Sequence, residues 1–160
     1  MIRELISSLT AELELCITDN IIEIDGLKVY PYRLPFKKQP PKQANGLAPD
    51  SQPVPDLPAI VVQFDDTNTD EPFSEKGKVA RITFVIGMLN DNPAVGINNV
   101  LDVAEKLEDY FTKNPVVAGK FRMEYPIKIR LFNDQPHPQY FAGVETDWNL
   151  PQAVEPYDPS

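Results

Sequence analysis

The order of hydrophobic periods between residues 79 and 148 constrains the fold of this chain more than any other feature. Residues 78–89 and 121–132 each place an apolar side chain at every second position, and this period of two predicts β-strands. In the first segment these side chains are Ala80, Ile82, Phe84, Ile86 and Met88. Between them, apolar side chains recur at the spacing of an amphipathic helix: Val100, Leu101, Ala104, Leu107 and Phe111. A further segment that ends at Trp148 predicts another strand. The order is therefore strand, helix, strand, strand.

The strand predicted for residues 121–132 has one apolar face and one charged face. The alternation places six apolar side chains together: Phe121, Met123, Tyr125, Ile127, Ile129 and Leu131. The opposite face carries Arg122, Glu124, Lys128 and Arg130. A strand with one charged face belongs to a sheet with one side in water, which favours antiparallel or mixed pairing.

Three further elements precede this region. An amphipathic helix begins at Ile2 and ends near residues 18–20, with Leu5, Ile6, Leu9 and Leu13 on one side. In residues 21–30, an Asp-Gly dipeptide between apolar runs predicts a β-hairpin with a type I′ turn. Residues 59–64 are apolar apart from Gln63 and predict a short strand, followed by a polar loop.

These elements predict an α+β fold. A mixed or antiparallel curved sheet packs against an N-terminal helix and one central amphipathic helix, with a β-hairpin and a long proline-rich loop. That loop, residues 35–58, holds seven of the 17 prolines and is predicted to be a surface loop or partly disordered arm. At 160 residues the chain fits one domain over residues 1–150, followed by an extended tail at 151–160.

The formal net charge of −9 and the single cysteine limit the possible classes of function. An acidic protein does not bind DNA by neutralising phosphates, and anionic lipid repels it. A lone Cys16 allows no internal disulfide and fits a reducing cytosol. No apolar run approaches the roughly 20 residues of a membrane span, and acidic residues interrupt the N-terminal pattern. We therefore expect a soluble intracellular protein with no membrane partner.

The only carboxylate cluster of the sequence follows the short apolar strand. Asp66, Asn68 and Asp70 have the first three ligand spacings of an EF-hand loop. Glu71 then stands where glycine is required, and Gly77 where a bidentate glutamate is required. The pattern favours a solvated loop between two strands over a metal site. A small metal-dependent hydrolase that uses these carboxylates is the more distant alternative.

The other candidates for chemistry are isolated residues. His137, the sole histidine, stands between two prolines, which favours a turn residue over a catalytic base oriented by Asp134. Cys16 lies in the apolar part of the first helix and is predicted to be a buried small side chain. The glycines form no phosphate-binding loop. We therefore predict that the chain is not an enzyme and has no catalytic residue, metal or cofactor.

Charge is unevenly distributed along the chain. The start of the proline-rich segment is basic, with Arg33, Lys37, Lys38 and Lys42. After Arg130 there is no further Lys or Arg, whereas Asp and Glu residues continue to occur. Copies of such a chain could pair head to tail, in contacts that close into a ring when the rotation permits. A basic loop on an acidic protein accounts for the same pattern. Both interpretations stay open.

The sequence resembles the tail-terminator (tail completion) proteins of long-tailed bacteriophages and prophages. The resemblance covers roughly residues 59–151 and also fits the first helix. It rests on a long strand that ends in a polar break, an amphipathic helix that closes with an aromatic pair, and a strand pair joined by a proline-bearing loop. The residues that carry these features are Asn90, Asp91, Asn92, Tyr110, Phe111, Pro138, Tyr140, Gly143 and Trp148.

The resemblance implies a structural protein of the virion that assembles in the host cytoplasm. Family members form a ring, commonly hexameric, that caps the finished tail tube, ends tail polymerisation and provides the head–tail joining surface. The implied partners are further copies of the chain, the tail tube protein and the head–tail connector or head-closure protein. DNA passes through without specific binding. A different neck component, such as a head-closure or connector protein, is the nearer alternative.

The resemblance also leads us to expect that two segments face neighbouring subunits or the tube. These are the acidic loop at residues 65–75, in which Phe73 is an apolar residue among charges, and the arm at residues 35–58. The candidate contact residues are Lys37, Lys38, Lys42, Asp65, Asp66, Asp70, Glu71 and Phe73.

Overall fold

A computed structural model describes residues 1–37, 54–68 and 78–151 of the chain. Within these residues the helices are α1 (Ile2–Thr18) and α2 (Pro93–Lys113). The strands are β1 (Lys28–Pro31), β2 (Phe36–Lys37), β3 (Val54–Pro55), β4 (Ala59–Asn68), β5 (Lys78–Leu89), β6 (Val116–Val117), β7 (Phe121–Leu131) and β8 (Gln139–Leu150).

Six of the described strands form one mixed, curled sheet in the order β1-β4-β5-β8-β7-β6. β1 pairs with β4 in parallel, and every other pair in this sheet is antiparallel. β2 and β3 form a separate two-stranded pair. The predicted α+β class is therefore confirmed, with a mixed sheet, an N-terminal helix and a central amphipathic helix.

The central helix α2 begins where its sequence supplies a cap. The Asn92 side chain accepts hydrogen bonds from the backbone N–H groups of Ala94 and Val95, at 3.0 and 3.4 Å. Pro93 follows at the first turn, where its missing N–H costs no helical hydrogen bond. The polar break after β5 is thus the start signal of α2.

Aromatic rings hold α2 on the centre of the sheet. Phe111 stacks on Phe84 of β5, with ring centroids 5.2 Å apart, and meets Trp148 of β8 edge to face at 5.5 Å. All three rings are fully buried. This cluster fixes the helix above the two longest strands.

The N-terminal helix α1 packs on the same side of the sheet as α2. Its buried stripe belongs to the same core as the inward residues of β4, β5 and β8: Leu5, Ile6, Leu9, Leu13 and Cys16. A hydrogen bond from the Tyr110 hydroxyl to the Glu12 carboxylate links the two helices. Cys16 is buried as predicted, and burial raises the pKa of its thiol to about 11. It is therefore a core side chain with little thiolate character.

The hairpin predicted for residues 21–30 is wrong, although its turn is present. Gly26 has a positive φ of 73°, and the Leu27 N–H bonds to the Ile24 carbonyl at 3.2 Å. The N–H groups of Ile21 and Ile22 instead bond to the Cys16 carbonyl at the end of α1. Donors used by the helix end cannot form a ladder, so β1 alone enters the sheet.

The strand predicted for residues 59–64 continues to Asn68, so the prediction that a loop begins at Asp65 is wrong. The added residues pair with the start of β5, across a register shift between Phe64 and Asp66. This shift is a β-bulge, which inserts an extra residue without ending the strand. Polar side chains are compatible with a strand here because one side of the sheet is exposed.

The predicted apolar face of β7 is only partly buried. Phe121 and Met123 are buried, and Ile127 and Ile129 pack against the core, as expected. Tyr125 and Leu131 are instead exposed, at 63% and 37%. The register with β8 shifts between Glu124 and Lys128, and Pro126 in this interval has no N–H for the ladder. The bulge therefore turns Tyr125 to solvent, which a strict period of two cannot predict.

The segments predicted as an arm and a tail lie mostly outside the described residues. At the ends of the proline-rich stretch, β2 and β3 pair with each other. Residues 38–53 and 152–160 are not among those described. The strand before the predicted tail continues to Leu150, two residues beyond Trp148.

We predict that Gly96→Ala destabilises the protein although alanine is the better helix former. An added Cβ would lie 2.3 Å from a ring carbon of the buried Tyr140, against which α2 packs at this point. We expect overpacking to outweigh the gain in helix propensity, for a net loss of about 1–2 kcal/mol. Urea denaturation measures the change, with the exposed Val95→Ala as the control on the same turn. Equal stability of Gly96→Ala and wild type would contradict this packing.

Candidate functional site

The candidate functional site is the side of the sheet that faces away from both helices, here called the open face. Residues at paired positions alternate between the core and this face. Ile82 and Thr146 are buried on the helix side, whereas their neighbours Arg81 and Asp147 point the other way. The open face divides into an apolar end and a charged end.

The apolar end contains a groove of about 380 Å³. Most of its lining is apolar or aromatic, including Tyr32, Leu57, Val61, Val85, Phe132 and Phe141. Tyr32 lies just before the proline-rich segment and Leu57 lies near its C-terminal end, so both ends of that segment meet at the groove. Apolar grooves with a few polar groups are the usual form of a binding surface.

Two glycines allow aromatic rings to lie flat on the open face. A Cβ on Gly87 of β5 would lie 2.8 Å from a ring carbon of Phe141 and 2.6 Å from a methyl of Leu57. A Cβ on Gly143 of β8 would lie 3.0 Å from the ring of Phe132. The two phenylalanine rings stack with centroids 6.4 Å apart. Only glycine permits this close approach, so the floor of the groove depends on these two positions.

Gln135 fixes the loop between β7 and β8. Its side-chain amide donates to the carbonyls of Phe132 and Phe141, both at 2.8 Å. Its side-chain oxygen accepts the N–H of Phe141 at 2.7 Å. One side chain thus satisfies three backbone groups and positions both aromatic rings of the groove.

His137 lies in the same loop and contacts Tyr140, not the predicted candidate Asp134. Its Nδ1 is within hydrogen-bond distance of the Tyr140 hydroxyl, and the two rings meet edge to face. A catalytic histidine would be oriented by a carboxylate or would face a nucleophile. The observed partner instead ties the loop to the residue that packs against α2.

Asp56 anchors the end of the proline-rich segment beside the groove. It accepts a hydrogen bond from the Tyr30 hydroxyl and pairs with Lys28 Nζ at 2.8 Å. The hydrogen bond to Asp56 raises the pKa of the Tyr30 phenol to about 12. Both partners lie on β1, so the segment returns to the sheet at a defined place.

The charged end of the open face combines paired and unpaired groups. Arg81 pairs with Asp147 at 3.2 Å, and Arg130 pairs with Glu145 at 3.6 Å. The hydrogen bond with Asp147 is the main cause that raises the pKa of the Arg81 guanidinium. Lys128 is exposed and forms no ion pair with any described residue. This end therefore presents fixed charges of both signs to solvent.

The predicted contact residues fall into three groups. Asp65 and Asp66 lie together on β4 at the charged end, in a strand and not in a loop. Lys37 lies on β2. The remaining candidates lie outside the described residues: Lys38, Lys42, Asp70, Glu71 and Phe73.

The two adjacent aspartates have different surroundings. The Asp65 carboxylate accepts hydrogen bonds from the Thr83 hydroxyl and from Gln63 Nε2, the latter at 2.8 Å. Asp66 is exposed and stands opposite Arg81 in the register of β4 and β5. The Asp65 carboxylate therefore forms hydrogen bonds within the sheet, whereas the Asp66 carboxylate is exposed to solvent beside Arg81.

The sequence analysis did not predict the groove, nor the hydrogen bonds by which Gln135 fixes the loop beside it. Gln135 has no local pattern that marks it, because its three partners are set by the path of the loop. Gly87 and Gly143 did carry a signal, since glycine inside a strand indicates a bulge or a close approach. The ring that approaches Gly87 is Phe141 on β8, and the ring that approaches Gly143 is Phe132, which follows β7. A glycine within a strand therefore does not indicate which aromatic residue lies against it.

Within residues 1–37, 54–68 and 78–151, no group of three or more His, Cys, Asp or Glu side chains could hold a metal ion. The helices in this part of the chain are too short or too polar to cross a membrane. Comparisons with models of protein families and with curated proteins find no match.

We predict that Gln135→Ala loosens the groove. The substitution removes one hydrogen bond from each of three backbone groups in a half-buried loop, of which the Phe141 carbonyl keeps the Phe132 N–H at 3.3 Å, so we expect a cost of about 1–2 kcal/mol. Hydrogen exchange at the Phe141 amide should accelerate accordingly. The control is Asn133→Ala, which removes an exposed side chain from the same loop. Unchanged exchange at Phe141 in Gln135→Ala would refute the role of this side chain.

We also predict that Asp65→Asn and Asp66→Asn differ in stability. An asparagine at position 65 replaces a charged acceptor by a neutral amide, so the charge-assisted hydrogen bonds from Thr83 and Gln63 weaken, at a cost of about 1 kcal/mol. Asp66→Asn alters an exposed charge and should stay within about 0.5 kcal/mol of wild type. Denaturant midpoints of the two variants provide the test. Equal midpoints would show that the carboxylate of Asp65 is not a sheet contact.

Proposed function

We propose that this chain is a structural virion protein that caps a phage tail tube, ends tail polymerisation and provides the surface for head–tail joining. The α+β architecture, with its curled mixed sheet, N-terminal helix and central helix, supports this proposal. So does the resemblance carried by the polar break before α2, its closing aromatic pair and the loop between β7 and β8.

The observation that carries the proposal is a sheet with one buried face and two unlike free edges. Beyond Val62, β4 has only β5 as a neighbour among the described strands. Beyond Met123, β7 has only β8. Because the edges belong to different strands with different charges, contact between them is heterologous. Heterologous contacts that repeat around an axis close into a ring when the rotation permits, and a ring is the form that a cap on a tube requires.

The proposed partners follow from this arrangement. The chain contacts further copies of itself through the sheet edges, and the tail tube protein and the connector through the faces of the ring. The net charge of −9 on each copy makes such a ring strongly acidic. DNA then passes without binding, because like charges repel and no counterions are released. The protein would reside in the virion neck after assembly.

Negative-stain microscopy of purified tail tubes from the matching phage tests the proposal. With the protein added, we expect tubes of uniform length that bear a ring at one end. Tubes of variable length without a ring are expected when it is omitted. Bare ends in both samples would overturn the proposal. Binding of the protein to isolated portal or connector particles, and not to tubes, would assign it to head closure instead.

A further inference from the structure

Each of the two outer long strands, β4 and β7, is paired on its outer side over only part of its length among the described residues. On β4, the four residues of β1 pair with residues 59–62, and no described strand pairs with residues 63–68 on that side. On β7, the two residues of β6 pair with Phe121 and Arg122, and the Met123 N–H bonds to the Pro115 carbonyl. Beyond Met123, no described strand pairs with β7 on that side. Open edges present unpaired N–H and C=O groups that another strand can use.

The open stretches carry opposite charge on the same face. In β4, Asp65 and Asp66 lie on the open face, since Asp65 bonds to Thr83 and Asp66 stands opposite Arg81. In β7, Lys128 stands opposite Glu145 of that face, and Arg130 opposite Gly143. A second sheet placed edge to edge would therefore bring carboxylates beside cations without crossing the sheet.

We infer that residues 63–68 of one copy lie antiparallel to residues 126–130 of the next copy, with Asp66 opposite Lys128, so that the sheet continues from subunit to subunit. This inference rests on the proposed function, because it names the contact that would build the ring. The partner is a second copy of this chain. Its basic element is β7, in place of the proline-rich arm suggested by the sequence.

The register between copies follows from the register within one copy. Through β5 and β8, Asp66 is level with Glu124, and Gln63 is level with Lys128. Unshifted neighbours would thus place Asp66 opposite Glu124, a pairing of like charges. A shift of two residues along β8, from the level of Asp147 to the level of Glu145, is about 7 Å and places Asp66 opposite Lys128. Because side chains alternate with a period of two, this shift keeps both charges on the same face.

The shift is also what closure of a sheet requires. Strands in a closed sheet tilt against the axis, and their register staggers by a fixed amount from one strand to the next. β1 enforces the stagger, because it occupies the part of the β4 edge that an unshifted neighbour would also approach. The bulge and Pro126 end the open part of β7, so the contact has a defined length.

Pairing of like edges is disfavoured by the same charges. Two β7 edges related by a two-fold axis at Lys128 would place Lys128 opposite Lys128, and two β4 edges related by a two-fold axis at Asp66 would place Asp66 opposite Asp66. Like charges directly opposite each other across a strand pair are destabilising. The charges therefore disfavour the two-fold dimers centred on these residues.

Charge reversal on each edge tests the inference with full-length chains and tail tubes. Lys128→Glu and Asp66→Lys change exposed residues, and each alone should lower the fraction of capped tubes about tenfold or more. A mixture of the two variants should restore capping, because alternating subunits then place opposite charges at every contact. The matched control is Lys106→Glu, an exposed reversal on the helix side that should cap tubes like wild type.

Two outcomes would overturn the inference. One is capping at the wild-type level by both single variants, with each confirmed as folded by circular dichroism. The other is a mixture that caps no better than its components. In either case the wild-type chain could still cap tubes, and the proposed function would stand without this contact.

Cysteine cross-linking separates the inference from the proposed function, since it needs no tube. Asp66→Cys and Lys128→Cys chains are mixed at high concentration and oxidised, with buried Cys16 as an internal control. A disulfide-linked dimer that forms in the mixture, and not in a sample of either variant alone, would support the contact even if wild type leaves tubes uncapped. No mixed disulfide, with and without tubes, would refute the contact.

Discussion

The antiparallel pairing of β5 with β8 positions the rest of the structure. Twelve consecutive residue pairs join the two strands without a register shift, from Lys78 with Leu150 to Leu89 with Gln139. On one side this ladder presents Phe84 and Trp148, against which Phe111 fixes α2. On the other side it presents the glycines on which the groove aromatics lie. One uninterrupted ladder therefore sets both the core and the open face, because alternate residues of the same strands serve each side.

The outer strands behave differently from this centre, and the difference bears on function. Both β4 and β7 contain a register shift and are covered on their outer side by only a short strand. Bulges and charges of this kind oppose pairing with arbitrary strands, and we propose that the charges of these two edges favour each other in neighbouring copies. A rigid centre with selective edges suits a protomer that must stay separate until it assembles. The groove beside the proline-rich segment adds a second surface on the same face, away from the charged end.

The elements with strong periodicity were predictable from the sequence, and those set by tertiary contacts were not. Both helices and the strand at residues 78–89 follow their hydrophobic periods closely, because a single buried face dictates each of them. The hairpin prediction failed because the end of α1 uses the donors of Ile21 and Ile22. Tyr125 was misplaced because a bulge breaks the alternation. Of the candidate contact residues, Asp65 and Asp66 lie on a strand and not in the predicted loop, and their different surroundings depend on Thr83 and Gln63, which no local pattern connects to them.

The most direct measurement of the central claim is hydrogen–deuterium exchange on the full-length chain, free and bound to tail tubes. If copies join through unlike sheet edges on a tube, amides of residues 63–68 and 127–130 gain protection together on binding, while the exposed surface of α1 exchanges as in the free protein. Protection confined to the helices, or gained at one edge only, would contradict the account.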